Sequence, residues 1–338
     1  MRDNDLALAL TMGEPSGIGP EITLKAWLGR DGRSLPPFFV AGDPSLYRET
    51  GAALGIDVPV REIGMPEEAA QVFAIALPVL PVPLAEKPVA GLLSAANAAA
   101  VLSSIDLACD LVLQGKAAGI VTNPIHKRAL YEAGLAMPGH TEYLAERSGG
   151  ATPAMMLSCP GLRVVPVTVH LSLRDAVAAL SVRTIADRGV ILARSLASDF
   201  GIDCPRIAVA ALNPHAGEEG HLGREEIEII VPAIEAMRAH VPDAEFRGPA
   251  PADTLFHAAA RAHYDAVLCM YHDQALIPLK TIDFEHGVNT TLGLPIVRTS
   301  PDHGTALDIA GRGQAHPGSL IEAIRMAGEI ARCRAAAA

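Results

Sequence analysis

The segment from Tyr264 to Ile309 concentrates side chains that could bind an anion or a metal ion. The short apolar run 266–271 predicts a buried strand, and His272 and Asp273 follow where that strand should end. Ligands of open α/β sheets bind at such strand ends. Further polar and cationic side chains come next in the segment: Lys280, Asn289 and Arg298. Each of them alone would fit a solvated loop, but their density predicts a binding site.

Three histidines lie at or just after the ends of three apolar runs. His170 comes near the end of 162–171, His215 follows 206–212, and His272 follows 266–271. A lone histidine after a strand is more often structural. Three on successive strands of a parallel sheet would meet at one edge, which is a typical arrangement for metal ligands. Neutral imidazole suits Zn, Co, Fe and Ni, and three protein ligands with an open position describe a catalytic metal site.

Two further motifs lie where a strand ends or a helix begins. TNPIHK places Asn123, His126 and Lys127 after the buried strand 119–122, although ordinary turn chemistry explains it equally well. PGHTEYLAE places His140 and Thr141 at a helix start, with Thr141 as the better N-cap. A neutral His140 there could receive a phosphate or a carboxylate, because a helix N-terminus disfavours the cationic form.

Glycine-rich turns occur near both ends of the chain. GEPSGIGPE follows the first predicted strand and opens a helix, but it lacks the third glycine of GxGxxG and the GK[ST] of a phosphate loop. We interpret it as a tight structural turn. Gly304, Gly311 and Gly313 in the segment after Arg298 would permit close approach of the backbone to a ligand.

Composition limits the class of protein. The chain has 338 residues, of which 50% are hydrophobic and 19% charged, and its formal net charge is -11. That charge argues against nucleic acid and anionic membranes as partners, so an anionic substrate needs a local basic pocket. Five widely spaced cysteines without a CxxC pair suit a reducing compartment. With no signal peptide or membrane span predicted, a cytoplasmic location is expected.

Alternating strands and helices predict a doubly wound α/β fold with mostly parallel sheets and two domains. The predicted first domain combines residues 1–130 with 290–338, and the second spans 131–289, with the active-site cleft between them. The spacing of apolar residues predicts helices over 94–115 and 172–200. It predicts a strand over 72–80.

Six motifs together resemble the 4-hydroxythreonine-4-phosphate dehydrogenase family of pyridoxal phosphate biosynthesis in order and spacing. They read TMGEPSGIGPE, TNPIHK, GHTEYLA, NPHAGEEG, MYHDQALIPLK and VNTTLGLPIVRTSPDHGTALDIAG. The resemblance covers nearly the whole chain and implies a fold similar to isocitrate and isopropylmalate dehydrogenases. That relation explains why a nicotinamide cofactor would be bound without a Rossmann fingerprint. The family more often has Asp where this chain has Glu14.

The resemblance also implies the roles of individual residues. His170, His215 and His272 would bind a divalent metal (Zn, Mg or Co), at a site shared across a homodimer interface. The substrate residues would be His140, Thr141, Lys280, Asn289 and Arg298, with Lys280 also catalytic. His303, Gly304 and Asp308 would contact NAD or NADP, and the carboxylate of Asp308 favours NAD because it would repel a 2′-phosphate.

The expected reaction is NAD-dependent oxidation of 4-phosphooxy-L-threonine at C3, followed by decarboxylation to 3-amino-2-oxopropyl phosphate. Relatives with the same motifs act on 4-phospho-D-threonate or 4-phospho-D-erythronate, which is the main alternative. A metal-dependent hydrolase or aldolase would use the three histidines without the HGTALDIAG loop. A metabolite-binding module without catalysis would not need an open metal position.

Overall fold

A computed structural model describes residues 6–134, 139–150 and 152–337. Pro138, the first residue of the PGHTEYLAE motif, and the N-terminal residues 1–5 lie outside the described residues. The described chain separates into two compact units. The first contains the residues up to Thr152 together with Leu294–Ala336, and the second is Pro153–Gly293.

The strands of the described residues, in chain order, are β1 (Leu8–Thr11), β2 (Phe38–Gly42), β3 (Val60–Glu62), β4 (Leu77–Pro81), β5 (Ile120–Val121), β6 (Ala154–Cys159), β7 (Leu162–Pro166), β8 (Arg206–Ala210), β9 (Glu245–Ala250), β10 (Ala266–Cys269), β11 (Val288–Leu292) and β12 (Arg298–Pro301).

The α-helices of the same residues are α1 (Gly19–Leu28), α2 (Pro44–Leu54), α3 (Ala69–Phe73), α4 (Ala98–Leu113), α5 (Lys127–Glu132), α6 (His140–Arg147), α7 (Leu173–Ala179), α8 (Val182–Phe200), α9 (Val231–His240), α10 (Ala258–Arg261), α11 (His272–Ile282) and α12 (Gly318–Ala337).

The first unit is built on parallel strands in the order β3-β4-β2-β1-β5-β12. Every residue of β1, β2 and β12 is buried, as expected for strands that are covered on both faces. Because these strands are parallel, the loops after β1, β5 and β12 leave the sheet at the same edge. The segment after β5 carries His126 and Lys127, and the segment after β12 carries His303, Gly304 and Asp308.

Helix α4 is a core helix of the first unit. Residues 95–113 are long and apolar enough to cross a membrane, but half of them are buried within the protein. The Ser104 hydroxyl accepts a hydrogen bond from Met12 N at 2.9 Å and donates one to Ala41 O at 2.6 Å. The helix therefore ties together the ends of β1 and β2.

The second unit has strand order β11-β6-β7-β10-β8-β9, with antiparallel pairs at β11/β6 and β6/β7 and parallel pairs from β7 to β9. Alternate residues of the strands enter two separate cores. Ile207, Val209 and Leu268 pack with α8 and α9, whereas Ala208 and Val267 pack with α11. The α/β class with mostly parallel sheets is therefore confirmed.

Two local predictions are wrong. The predicted helix over 172–200 is broken, because Leu180 is extended and Ser181 caps α8 by accepting a hydrogen bond from Thr184 N. The predicted strand over 72–80 begins in α3 and becomes a strand only at Leu77.

The structure ends the first unit later than residue 130, because α6 packs on α4. Tyr143 Oη donates a hydrogen bond to Asp106 Oδ1 at 2.6 Å, and Arg147 Nη2 donates to Asp110 Oδ1 at 2.9 Å. These contacts place the segment that carries His140 and Thr141 in the first unit.

Candidate active site

The histidines of the second unit lie beyond three neighbouring parallel strands. In the sheet, β10 pairs with β7 on one side and with β8 on the other. His170 follows β7, His272 follows β10 and His215 follows β8. Since parallel strands end at the same edge, all three histidines belong to the carboxyl edge of this sheet.

His170 and His272 form a pair whose ring centroids are 6.0 Å apart. Two imidazoles that bind one ion at about 2.1 Å per Zn–N bond have ring centres up to about 6 Å apart, so this spacing fits a shared metal. His272 Nδ1 donates a hydrogen bond to Asp273 Oδ1 at 2.8 Å, which would leave Nε2 available to bind a metal ion. The donor set therefore fits a divalent ion.

His215 lies in an unusual backbone turn. Residues His215–Glu219 all have positive φ, from 43° to 79°, inside Pro214–Gly220. The side chain of His215 is 70% exposed, with Nδ1 3.9 Å from Glu218 Oε1. Among the described residues, no three His, Cys, Asp or Glu side chains form a group that could hold a metal within one chain. The three-histidine metal site thus stays a prediction.

Two buried side chains align the histidine-bearing strand ends, and sequence reasoning missed both. Thr168 Oγ1 donates a hydrogen bond to Met270 O at 2.9 Å, which joins the end of β7 to the end of β10. Gln274 accepts a hydrogen bond from Met270 N and donates one to Ala211 O, each at 2.7 Å, which joins β10 to β8. A glutamine two residues after the candidate ligand His272 is the sequence signal that could have suggested this alignment of strand ends.

Lys280 and Asn289 occupy regular elements of the second unit. Lys280 lies in the last turn of α11, with Nζ 5.0 Å from the centre of the Phe284 ring. Asn289 lies in β11 opposite Leu157 of β6. In the described part of the chain, the buried Oδ1 of Asn289 has no hydrogen-bond partner, so it is available as an acceptor.

His140 is the first residue of α6, as the sequence predicts, but Thr141 is not the N-cap. Gly139 occupies that position, and no side chain caps the helix. Desolvation, followed by the charges of Arg298 and Lys127, lowers the pKa of His140 well below 6.5. The imidazole is therefore neutral at neutral pH, and its buried Nε2 lacks a hydrogen-bond partner within the described ranges.

Arg298 is a buried cation of the first unit. It starts β12, is only 3% exposed, and donates from Nη2 to Thr122 Oγ1 at 2.8 Å. Burial lowers the pKa of its guanidinium to about 10, while the Glu142 carboxylate acts in the opposite direction. The group stays charged at neutral pH. A buried cation beside a neutral imidazole suits an anionic substrate group.

The GEPSGIGPE turn supports the loop that contains His303, Gly304 and Asp308. Ile18 N donates a hydrogen bond to Thr305 O at 3.0 Å. Glu21 Oε1 accepts one from Ala315 N at 2.9 Å, and Lys25 Nζ donates to Gly313 O at 2.9 Å. The turn is structural, as predicted, and its role is to hold this loop.

The loop itself exposes Gly304 and Asp308 and leaves His303 partly buried. His303 Nδ1 donates to Gly304 O at 3.1 Å. Ala306 has a φ of +42°, and Gly311 and Gly313 have φ of +72°. Glycine suits positions 311 and 313 because it adopts left-handed backbone geometry without strain.

The TNPIHK motif has both structural and polar parts. Asn123 Nδ2 donates to Thr11 O at 3.1 Å and to Thr23 Oγ1 at 3.0 Å, so Asn123 joins β1, β5 and α1. Burial raises the pKa of the neighbouring Glu14 carboxyl, and the Ser16 N–H and the charge of His126 act against that effect. Asn123 is buried, whereas His126 is partly buried and Lys127 is exposed, so these two polar side chains are accessible from solvent.

Comparison with known proteins places the chain in a family. Residues 34–327 match the model of the family described as pyridoxal phosphate biosynthetic protein PdxA. A 4-hydroxythreonine-4-phosphate dehydrogenase of Caulobacter vibrioides is 54% identical over 335 residues, which cover 97% of this chain and 98% of that protein. A protein of the same name from Methylorubrum populi is 50% identical, with 98% and 96% covered.

Solved structures agree with these sequence matches. The crystal structure of 4-hydroxythreonine-4-phosphate dehydrogenase from Klebsiella pneumoniae has 41% sequence identity and a TM-score of 0.87, and the match covers 96% of this chain and 99% of that chain. These matches place the chain among dehydrogenases with a mixed α/β fold. The chain belongs to the PdxA family of pyridoxal phosphate biosynthesis.

Proposed function

We propose that this chain catalyses the NAD-dependent oxidation of 4-phosphooxy-L-threonine at C3. The observation that carries the proposal is the buried Arg298 guanidinium beside neutral His140, in a chain 54% identical to a 4-hydroxythreonine-4-phosphate dehydrogenase over almost its whole length. When bound, NAD would supply the acceptor for the hydride from C3, and the hydroxyl proton would pass to a base. The product is 2-amino-3-oxo-4-phosphooxybutanoate, a β-keto acid that decarboxylates to 3-amino-2-oxopropyl phosphate.

Substrate residues are proposed in each unit. In the first unit, Arg298 offers a planar fork to a phosphate or carboxylate, and His140 and Thr141 offer neutral polar groups at the start of α6. In the second unit, Lys280 offers a point charge, and Asn289 offers the acceptor of its side-chain amide. Cations are needed because the substrate carries a phosphate and a carboxylate, whereas the chain as a whole has a formal charge of -11.

His170 and His272 are the proposed metal ligands within one chain, and His215 is proposed as the third ligand in a homodimer. When bound, a divalent ion such as Zn, Mg or Co supplies Lewis acidity at the hydroxyl that is oxidised. Asp273 orients His272 through the hydrogen bond to Nδ1. In this proposal a second copy of the chain contributes one imidazole. That arrangement is consistent with the absence of a group of three His, Cys, Asp or Glu ligands among the described residues of one chain.

The proposed cofactor is NAD, held by the loop that includes His303, Gly304 and Asp308. Asp308 is exposed, so its carboxylate is accessible to ribose hydroxyls and would repel a 2′-phosphate. A cytoplasmic setting is proposed with it, and the free state of all five cysteines is consistent with a reducing compartment.

Substrate choice is tested by dehydrogenase assays that compare three compounds: 4-phosphooxy-L-threonine, 4-phospho-D-threonate and the unphosphorylated 4-hydroxythreonine. We expect the first to have the highest kcat/KM and the unphosphorylated compound to have the lowest. A higher kcat/KM for 4-phospho-D-threonate would assign the chain to the alternative substrate class. Turnover that is indifferent to the phosphate would contradict the proposal.

Cofactor binding separates the dehydrogenase from a hydrolase or aldolase. Fluorescence titration with NADH in the absence of substrate is expected to saturate. An enzyme that used the histidines alone would show no saturable NADH binding and would have no use for the loop around Asp308.

A further inference from the structure

The turn that carries His215 is strained, and the structure shows what opposes that strain. Four non-glycine residues of the turn have left-handed backbone geometry: His215 at φ 54°, Ala216 at 53°, Glu218 at 43° and Glu219 at 57°. This geometry is unfavourable for each of these residues, because it brings Cβ too close to the following carbonyl oxygen. A run of this kind persists only when surrounding contacts determine it.

Those contacts converge on one buried carboxylate. Glu226 is 3% exposed, and its Oε1 accepts hydrogen bonds from Leu212 N at 2.9 Å and Asn213 N at 2.7 Å. Its Oε2 accepts from Asn213 Nδ2 at 3.0 Å. Leu212 and Asn213 lie between β8, which ends at Ala210, and the turn, so Glu226 holds the backbone at the point where the turn begins.

The same carboxylate also fills the space beneath the middle of the turn. A Cβ at Gly217, where φ is +79°, would lie only 2.7 Å from Glu226 Oε2. Leu222 N closes the far side of the turn by donating to Gly217 O at 3.0 Å. Glycine at this position therefore serves both the backbone conformation and the close approach of Glu226.

His215 itself depends on the turn for its position. Its side chain is 70% exposed, and its ring nitrogen lies 3.9 Å from Glu218 Oε1, which is too far for a hydrogen bond. The imidazole is thus aimed by the backbone more than by contacts of its own. Any group that fixes the backbone therefore fixes the direction of the Cα–Cβ bond from which the ring extends.

We propose that Glu226 is a positioning residue that holds the left-handed turn and thereby aims His215 at the divalent metal. The inference rests on the metal role proposed above and adds a residue outside the ligand set. The backbone N–H groups of Leu212 and Asn213 and the side-chain amide of Asn213 donate hydrogen bonds to the Glu226 carboxylate. Together these bonds lower its pKa and keep it ionised despite its burial. An ionised acceptor binds three N–H donors more strongly than a neutral amide can.

The test measures Co²⁺ binding to the metal-stripped full-length protein by calorimetry. Glu226→Gln replaces the carboxylate with an amide of the same shape, and we expect Co²⁺ to bind about 10- to 100-fold more weakly. The matched control is Glu228→Gln on the same helical segment, where the carboxylate forms only a surface pair with Arg224. That control should bind Co²⁺ as the unaltered protein does.

A double-mutant cycle separates positioning from general loss of structure. If Glu226 acts through His215, then Glu226→Gln should weaken Co²⁺ binding no further in a His215→Ala background. An equal loss in both backgrounds would overturn the inference. Should Glu226→Gln fail to fold, Glu226→Asp retains the charge and should show a smaller loss of Co²⁺ affinity.

The remaining outcomes distinguish this inference from the proposed function. Saturable Co²⁺ binding by the unaltered protein with unchanged affinity in Glu226→Gln would overturn the positioning role alone. Absence of saturable Co²⁺ binding by the unaltered protein would overturn the metal role, and the inference with it.

Discussion

The two units place their candidate residues by different physical means. In the first unit, Arg298 is 3% exposed and lies at the start of a buried strand, so surrounding packing determines its position. In the second unit, the His215 side chain is 70% exposed and lies on a strained turn, so the backbone determines its position. A change at Arg298 should therefore affect both binding and folding, whereas loss of an exposed imidazole should affect chemistry alone.

The largest expected effect is loss of turnover when a histidine of the second unit is removed. His272→Ala should lower kcat by more than about 100-fold, because even changes in groups that only support a metal ligand cost about 10- to 100-fold. The temperature of unfolding should change little. Steady-state kinetics, metal analysis and thermal unfolding of the variant provide the measurement.

The control for that experiment is His263→Ala, which removes an exposed histidine of the same unit. A His272→Ala protein with near-normal rate and normal metal content would show that His272 is structural. The same comparison applies to His170→Ala and His215→Ala.

The next effect in size concerns the buried cation. Arg298→Lys keeps the charge but loses the planar fork that would bind the anionic group of the substrate. Charge-assisted hydrogen bonds contribute about 1.5–3 kcal/mol, so we expect their loss to raise KM by about 10- to 100-fold. We also expect a lower unfolding temperature, because the hydrogen bond to Thr122 lies in the core. Arg61→Lys, at an exposed position of the same unit, is the matched control. An unchanged KM would remove Arg298 from the substrate site.

A smaller effect is expected on cofactor preference. Asp308→Asn removes a negative charge at an exposed position, where screening limits its influence to about 1 kcal/mol, or about fivefold. The ratio of kcat/KM for NAD to that for NADP should fall by this amount. Equal efficiency with both cofactors in the unaltered protein would mean that Asp308 faces away from the cofactor.

The smallest expected effect is on the pH dependence of stability. The folded pKa of His140 lies below 6.5, so between these two values the unfolded chain binds more protons than the folded protein. Stability should therefore fall as pH falls through this window and should recover as pH rises. His140→Gln has no titrating group there, so its free energy of unfolding should depend less on pH across the same range. An identical slope in the two proteins would contradict the neutral imidazole.

Much of the candidate site follows from local sequence. Apolar runs that end in His170, His215 and His272 predict histidines at strand ends, because buried parallel strands are short and apolar and their loops carry function. The start of α6 at His140, the structural character of GEPSGIGPE and the α/β class were also predicted correctly. These features depend on neighbouring residues and on the periodicity of a single element, which a sequence displays directly.

Tertiary structure decided the features that depend on distant partners. The order of the sheet places β10 between β7 and β8, and Gln274 then joins strand ends whose residues are 63 positions apart. The role of Glu21 in holding the loop at Ala315 and the support of the His215 turn by Glu226 likewise arise from tertiary contacts. The physical reason is that a buried polar group needs a hydrogen-bond partner, and the fold can supply that partner from a distant part of the chain. The periodicity of residues along the sequence does not identify it.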